Sequence, residues 1–425
     1  MPSRQLAAVP RAGTPADPSP ANRVHDRDVP VWASLLALAV GGFAIGTTEF
    51  ASMGVLPDIA GDLGVTIPQA GHAITAYALG VVIGAPAFAV LGARLPRKGL
   101  LLVLMAALTV ANLASAMAPT FGSLVVARFA SGFPHGAYFG IGAVLATSLV
   151  PRHRRAHAVA MTMMGLTVAN VVGVPLTTLL GQSFGWRSTY ATVVVIGVLT
   201  LVAIELLVPR VMAHDGASPR QELSALRLPQ VWLTLLVGAV GFGGFFAVYS
   251  YVAPTLTEVS GFAEAGVPVA LALFGVGMTL GTMLGGRFAD WSVRKTLVLA
   301  PVATLVVQLA FTVTAHAVVP AAITLLVVAF TSSASLPALT ARLLDVSGDG
   351  KALAATLNHS ALNVANALGA WLGGLVIAAG LGYTAPAVVG AGLSAAGLGV
   401  LAVSLGLERR DRRRAVEARD ERQAA

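Results

Sequence analysis

Three ionisable side chains stand where the surrounding sequence is almost wholly apolar. Arg128 lies in the run Leu124 to Gly140, LVVARFASGFPHGAYFG, and Glu49 lies in GTTEFASMGVLPDIA. An arginine at the centre of a membrane helix costs about 2.5–3.5 kcal/mol to insert, so it usually faces a protein interior or a watery cavity. Its other option is to snorkel to the interface. A carboxylate in hydrocarbon is disfavoured as an ion, which makes Glu49 a group that can take up and release protons; the alternative is an interfacial glutamate bonded to a neighbouring helix. His135 follows Arg128 by seven residues on a similar helix face. Histidine titrates near neutrality, so His135 is a second proton-site candidate, beside the plainer role of a hydrogen bond between helices. Four more polar residues, Asn170, Asn363, Asn366 and His359, also lie inside apolar runs. Amides there can hydrogen-bond a substrate or each other, so these four are candidate substrate contacts with helix packing as the other reading. Asn358 adds polarity beside His359, and His72 is a lesser candidate.

The elements that must hold these residues are membrane helices. The chain has 425 residues, 56% hydrophobic and 11% charged, with mean hydropathy +0.80. A soluble domain carries about 25% charged residues, so this is an all-α membrane protein. There is no cysteine, hence no disulfide or thiol chemistry. No Walker motif, metal cluster or nucleophile constellation is present, which predicts neither an enzyme nor a cofactor. Gly275-x-Gly277-xxx-Gly281 lies inside an apolar run and follows no strand, so it is not a nucleotide loop. With Gly285 it has small-xxx-small spacing, which predicts close helix packing.

Spans need roughly 20 apolar residues. Twelve runs qualify, at 31–56, 71–92, 99–118, 121–149, 157–182, 188–208, 230–256, 266–288, 296–316, 319–343, 352–379 and 383–406. Residues 1–29 read as a disordered tail, followed by an uncleaved first span. A 30–208 half, a central loop at 209–229, a 230–406 half and a basic tail at 407–425 complete the expected organisation. Basic residues fall in the even-numbered connections and the tails: Arg4, Arg11, Arg23, Arg27, Arg94, Arg97, Lys98, Arg152, Arg154, Arg155, Arg210, Arg220, Arg227, Arg287, Arg294, Lys295, Arg342, Lys351 and the tail from Arg409. Arg187 is the main exception. This bias predicts that both termini are cytoplasmic. It also accounts for the net charge of +8 through topology and the anionic inner leaflet, without nucleic acid.

An internal repeat is visible. Leu166-Thr-Val168-Ala169-Asn170-Val-Val-Gly173 aligns with Leu362-Asn-Val364-Ala365-Asn366-Ala-Leu-Gly369 at an offset of 196, and Arg97-Lys98 aligns with Arg294-Lys295 at 197. Parallel six-span repeats place a substrate site near the midplane, between the halves. By depth, Glu49 is eight residues before Pro57 and Arg128 seven after Phe121. Both therefore sit about 10–12 Å inside the same membrane boundary.

The pattern Leu124-xxx-Arg128-xx-Ser131-Gly132-x-Pro134-His135-Gly136 resembles the fourth-helix motif of major facilitator superfamily (MFS) proton antiporters. GFPHGAYFG, and Gly46-Thr47-Thr48-Glu49-Phe50 with Gly54 and Pro57, resemble the arabinose-efflux-permease and chloramphenicol-exporter branch. Gly286 to Lys295, with Arg287, Asp290, Arg294 and Lys295, resembles the cytoplasmic signature loop. Its first-half copy keeps Arg94, Arg97 and Lys98 but has Ala93 at the Asp290 position. The span-5 antiporter motif keeps Gly173 and Pro175 but departs at Val174 and at Thr178-Leu179.

The resemblance implies an MFS fold of twelve transmembrane helices in two pseudo-symmetric six-helix halves, in the inner membrane. It also implies alternating access and proton-coupled efflux of a small molecule: a drug such as chloramphenicol, a sugar or a nucleoside. Spans 1 and 4 would lie side by side, letting Glu49 and Arg128 interact, and Arg97, Lys98, Asp290, Arg294 and Lys295 would act as a gating loop. The partners expected are substrate, protons and the bilayer, with the protein acting as a monomer. An uncoupled facilitator or importer, or a transporter-like sensor, remain open as alternatives.

Overall fold

A computed structural model describes residues 29–91, 96–210, 223–348 and 350–424. The N-terminal tail to residue 28, Ala93, Arg94 and most of the central loop, Arg220 included, lie outside the described residues. All the regular structure described is helical. Ten helical stretches are long and apolar enough to cross a membrane. They differ from the twelve expected runs at two points. The runs 266–288 and 296–316 are two helices that follow one another without a loop in the stretch Val267–Thr314, separated by a kink at Ser292 (φ −167°, ψ 106°). The helix Phe121–Ser148 is not one of the ten, because Arg128, His135 and its glycines dilute its apolar character.

Local sequence explains where helices start and break. Phe121–Ser148 begins with a capping box: the Thr120 hydroxyl accepts from the Ser123 amide at 3.3 Å, and the Ser123 hydroxyl from the Thr120 amide at 3.2 Å. The first helix, Val31–Gly54, kinks at Val55 (φ −115°, ψ 20°) just before Pro57. Helix Gly243–Ser250 kinks at Tyr251 with the same angles, just before Pro254. In each case a proline removes a backbone donor from the helical ladder. A third irregularity, a π-helical turn at Ala169–Gly173, precedes Pro175.

The sequence repeat is also a repeat of close contacts. A Cβ on Gly80 would lie 2.1 Å from the Phe129 carbonyl oxygen, and one on Gly84 2.2 Å from that of Phe133. In the second half, a Cβ on Gly277 would lie 2.4 Å from the Leu326 carbonyl oxygen, and one on Gly281 2.3 Å from that of Phe330. Gly80 and Gly277 are 197 residues apart, as are Phe129 and Leu326. Only glycine lets helices approach this closely. The series Gly277, Gly281, Gly285 thus packs as its spacing predicts, with Gly285 against Ala334.

The two halves of the chain meet unequally. One large apolar core joins Phe50, Met53, Leu56 and Tyr190 to Phe246, Tyr251, Leu256 and Phe274, on the side of the odd-numbered connections. On the other side each half has its own core, around Leu38, Leu104 and Leu145 in the first and around Val231, Leu339 and Leu343 in the second. No buried apolar cluster spans the halves there among the described residues. The sealed side also explains Arg187, the exception to the charge bias. Its guanidinium pairs with Asp62 and donates to the Ala118 carbonyl at 3.0 Å, while Trp186 Nε1 donates to Asp62 at 2.9 Å. These hydrogen bonds hold the Asp62 carboxyl below the usual carboxylate range, so the pair stays charged well into acid.

Gly281→Ala should force a methyl onto the Phe330 carbonyl, at a cost of about 1–3 kcal/mol. Gly286, where a Cβ meets nothing within 4 Å, should accept alanine neutrally or gain up to about 1 kcal/mol. Thermal unfolding of the two variants in detergent checks the contrast.

Candidate functional site

The site grows around Arg128, whose side chain is wholly buried. Its Nη2 donates to the Thr48 carbonyl at 2.9 Å and its Nη1 to the Thr48 hydroxyl at 2.9 Å, with Ser131 Oγ further off at 3.4 Å. The Thr48 hydroxyl in turn donates to Asn112 Oδ1 at 2.5 Å. The Tyr77 and Tyr190 rings lie 4.4 and 5.3 Å from the guanidinium carbon. Buried charges need such hydrogen bonds and ring faces in place of water. Nε alone has no partner.

Glu49, next in sequence to Thr48, is 5% exposed. It lies near enough to feel the Arg128 charge, with no ion pair between the two within 4.0 Å. The cause is local: the guanidinium is taken up by the backbone and hydroxyl of Thr48. The titratable group that does approach the Glu49 carboxyl is His135, whose Nδ1 lies 3.9 Å from Oε2. That same nitrogen is 3.0 Å from the Tyr77 hydroxyl. A ring nitrogen holds either a proton or a lone pair. When Nδ1 accepts from Tyr77 it cannot also donate, and at 3.9 Å it makes no hydrogen bond to Glu49. Tyr77 further shares its ring with Arg128, which ties the three charged or titratable groups into one cluster.

Across the seam stand residues of the second half. The His359 ring stacks on Phe139 (5.8 Å, 6° between planes) and lies 6.3 Å from the His135 ring. Asn366 is wholly buried beside Glu49, yet neither atom of its amide makes a hydrogen bond of normal geometry. Asn363 donates to the His359 carbonyl at 3.1 Å and Asn170 to the Leu166 carbonyl at 3.0 Å, each leaving its Oδ1 unpaired. Ser360 Oγ is unpaired as well. Most buried polar atoms in proteins have partners, so a group of bare acceptors and donors at one seam is where a hydrogen-bonding guest would be recognised. Phe50, Phe246, Tyr249 and Phe274 close the sealed side of this region, with Tyr249 and Phe274 stacked at 4.1 Å.

The structure thus brings together Glu49, Arg128, His135, His359 and Asn366. Asn170 sits in the π-helical turn, its carbonyl 2.3 Å from where a Gly275 Cβ would be. His72 is exposed and stands apart. Of the expected gating residues, Lys98 and Arg294 fasten helices within their own half. Lys98 bonds the Glu205 carbonyl at 2.7 Å and its carboxylate at 3.4 Å. Arg294 and Arg342 both reach Glu408, at 3.1 and 3.4 Å. Lys295 stacks over Trp291 at 4.4 Å, and Asp290 has no ion pair within 4.0 Å among the described residues. Arg97 is half-buried at the start of its helix.

Thr48, Tyr77, Asn112 and Tyr190 were not anticipated. Asn112 carried a usable signal, an amide inside the run 99–118; Thr48 carried only its place beside Glu49. The tyrosines read as ordinary apolar-run aromatics.

The profile of the Major Facilitator Superfamily matches residues 38–328 and 262–425. An inner membrane transport protein of Escherichia coli strain K12, YdhP, is 42% identical over 369 residues, covering 87% of this chain and 94% of its own. The chloramphenicol resistance protein of Streptomyces lividans is 35% identical over 355 residues, covering 82% and 89%. In fold, the chain is similar to the crystal structure of a D-xylose-proton symporter, with TM-score 0.69, 16% identity, and 87% and 97% of the chains covered. The buried charges, the paired glycine contacts and the one-sided seam therefore sit in a transporter: this chain belongs to the Major Facilitator Superfamily.

Proposed function

We propose that the chain is a proton-coupled exporter of a small neutral molecule, working by alternating access. The observation that carries this reading is Glu49: a buried carboxylate on the first half, 3.9 Å from His135, facing an unpaired amide, Asn366, on the second. A fixed cation, Arg128, holds a negative charge favourable nearby, so Glu49 can exist in either protonation state within one fold. Protonation of Glu49 removes that charge and frees its carboxyl to donate across the seam. Taking a proton from the outer side and releasing it inward would then bias the two faces oppositely to substrate movement.

The chain is read as twelve spans in two six-helix halves, 30–208 and 230–406, counting Val267–Thr314 as two spans bent at Ser292 and adding Phe121–Ser148. Both termini lie in the cytoplasm of an inner-membrane protein that acts as a monomer. With the odd-numbered connections outside, the sealed side is the outer one and the conformation faces inward. The substrate contacts are Asn170, Asn363, Asn366 and His359, with Phe139 offering a stacking face. This suits a molecule carrying hydroxyls or amides on an apolar frame, such as a phenicol drug, a sugar or a nucleoside.

In inverted vesicles with an imposed proton gradient, a true substrate should dissipate the gradient, and Glu49→Gln should abolish this while leaving substrate binding intact. Dissipation that survives the substitution moves the proton to His135 or overturns coupling through Glu49. No dissipation by any substrate that the wild type nonetheless carries indicates an uncoupled facilitator.

Asn366→Ala should weaken substrate binding by about tenfold, the scale of one lost hydrogen bond. Its thermal stability should hold or rise, because the amide has no protein partner to lose and its uncompensated burial is itself costly. Equal affinity in wild type and variant removes Asn366 from the site.

A further inference from the structure

The repeat that makes Lys98 and Lys295 equivalent, 197 residues apart, treats them differently. Lys98 is 8% exposed and anchored to Glu205. Lys295 is exposed, has no acidic partner within 4.0 Å among the described residues, and lies over the ring of Trp291, itself 69% exposed. Its neighbour Arg294 takes the carboxylate contact instead, with Glu408. The nearest acid in sequence, Asp290, does not line the same surface. The second half therefore carries a free ammonium where the first half carries a structural one.

Below this ammonium runs a groove of about 270 Å³ on the membrane-facing side. Phe288, Leu299, Ala300, Ala303, Phe330 and Ala334 form its walls, and Trp291, Lys295 and Thr296 its head. Its volume approaches the lower end of ligand pockets, about 300 Å³. The walls are almost purely apolar, and the one formal charge of the lining is positive and sits at the end that meets the membrane surface. Interfacial tryptophan marks headgroup level, and lysine near that level attracts anionic lipid.

We propose that this groove binds one anionic phospholipid, with an acyl chain along Leu299, Ala303 and Phe330 and the headgroup phosphate on Lys295. The position gives the lipid a stake in the transport cycle. Trp291 and Lys295 flank Ser292, the kink between the two helices of the stretch Val267–Thr314, so an occupied groove braces the bend between them.

Native mass spectrometry of the full chain, stripped of lipid and titrated with phosphatidylglycerol or phosphatidylethanolamine, tests this. Wild type should retain one phosphatidylglycerol in preference to phosphatidylethanolamine by about fivefold. Lys295→Ala should erase the preference, and Ala303→Trp, which fills the groove without touching charge, should remove the bound lipid. Arg287→Ala, an exposed cation outside the lining, should retain it. Equal retention of the two lipids, retention in Ala303→Trp, or the same loss in Arg287→Ala as in Lys295→Ala would each overturn the proposal, the last by showing diffuse attraction to surface charge.

Discussion

Everything in the first half is arranged around the cost of keeping the Arg128 guanidinium out of water. Thr48 meets it twice, through its carbonyl and its hydroxyl, and Asn112 holds that hydroxyl in place. Tyr77 and Tyr190 cover its faces. These partners come from different spans, so the charge selects one arrangement of those helices over others of similar apolar packing. Truncating the Thr48 side chain would leave the buried charge short of a hydrogen bond, which is far more costly than losing a surface contact. Glu49 then has its own freedom. Because Arg128 is already satisfied by neutral groups, the carboxylate is favoured by the cation without being locked to it.

The scaffold beneath is symmetric where packing is concerned and asymmetric where chemistry is concerned. Glycines at 80, 84, 277 and 281 bring helix against helix backbone in both halves. Moving the charged or polar residues of the first-half site by 197 positions gives a different picture: Glu49 maps to Phe246, Tyr77 to Phe274, Arg128 to Leu325, Thr48 to Phe245 and His135 to Ser332. Three of these five, Phe245, Phe246 and Phe274, form the aromatic cluster that seals one side. One half of the duplicated chain thus holds the charges, and the other presents an apolar wall and the amides of the helix Lys351–Ala378.

Much of this was legible in the sequence, and the reason differs by residue. Span positions follow from apolar run length, a signal summed over some twenty residues. Arg128, Glu49 and His135 stood out because charge in an apolar run is rare. The repeat showed through short identical stretches, and its glycines predicted close packing at Gly277, Gly281 and Gly285. Equal depth put Glu49 within reach of the Arg128 charge, but it does not fix which way a long side chain turns, and Thr48, one residue away, takes the guanidinium hydrogen bonds. Tyr77 was invisible for a related reason: its role depends on which two helices its ring lies between. The division of Val267–Thr314 at Ser292 was readable from the polar stretch between two apolar runs, and the extended backbone of Ser292 marks it in the structure.

The fastenings of the molecule indicate which part can move. Lys98 with Glu205, and Arg294 and Arg342 with Glu408, tie helices inside one half. So do Arg187 and Trp186 with Asp62. Between the halves the contacts are mostly apolar, and the polar groups at the seam, Asn170, Asn363, Asn366 and Ser360, are left partly or wholly without partners. Apolar contacts tolerate sliding because they have no direction, whereas a paired amide would hold one register. The cost of bare amides, about 1–3 kcal/mol each, falls on Asn170, Asn363 and Asn366 at this seam and on Gln308 within the second half, and a bound molecule that satisfied the seam amides would offset it there.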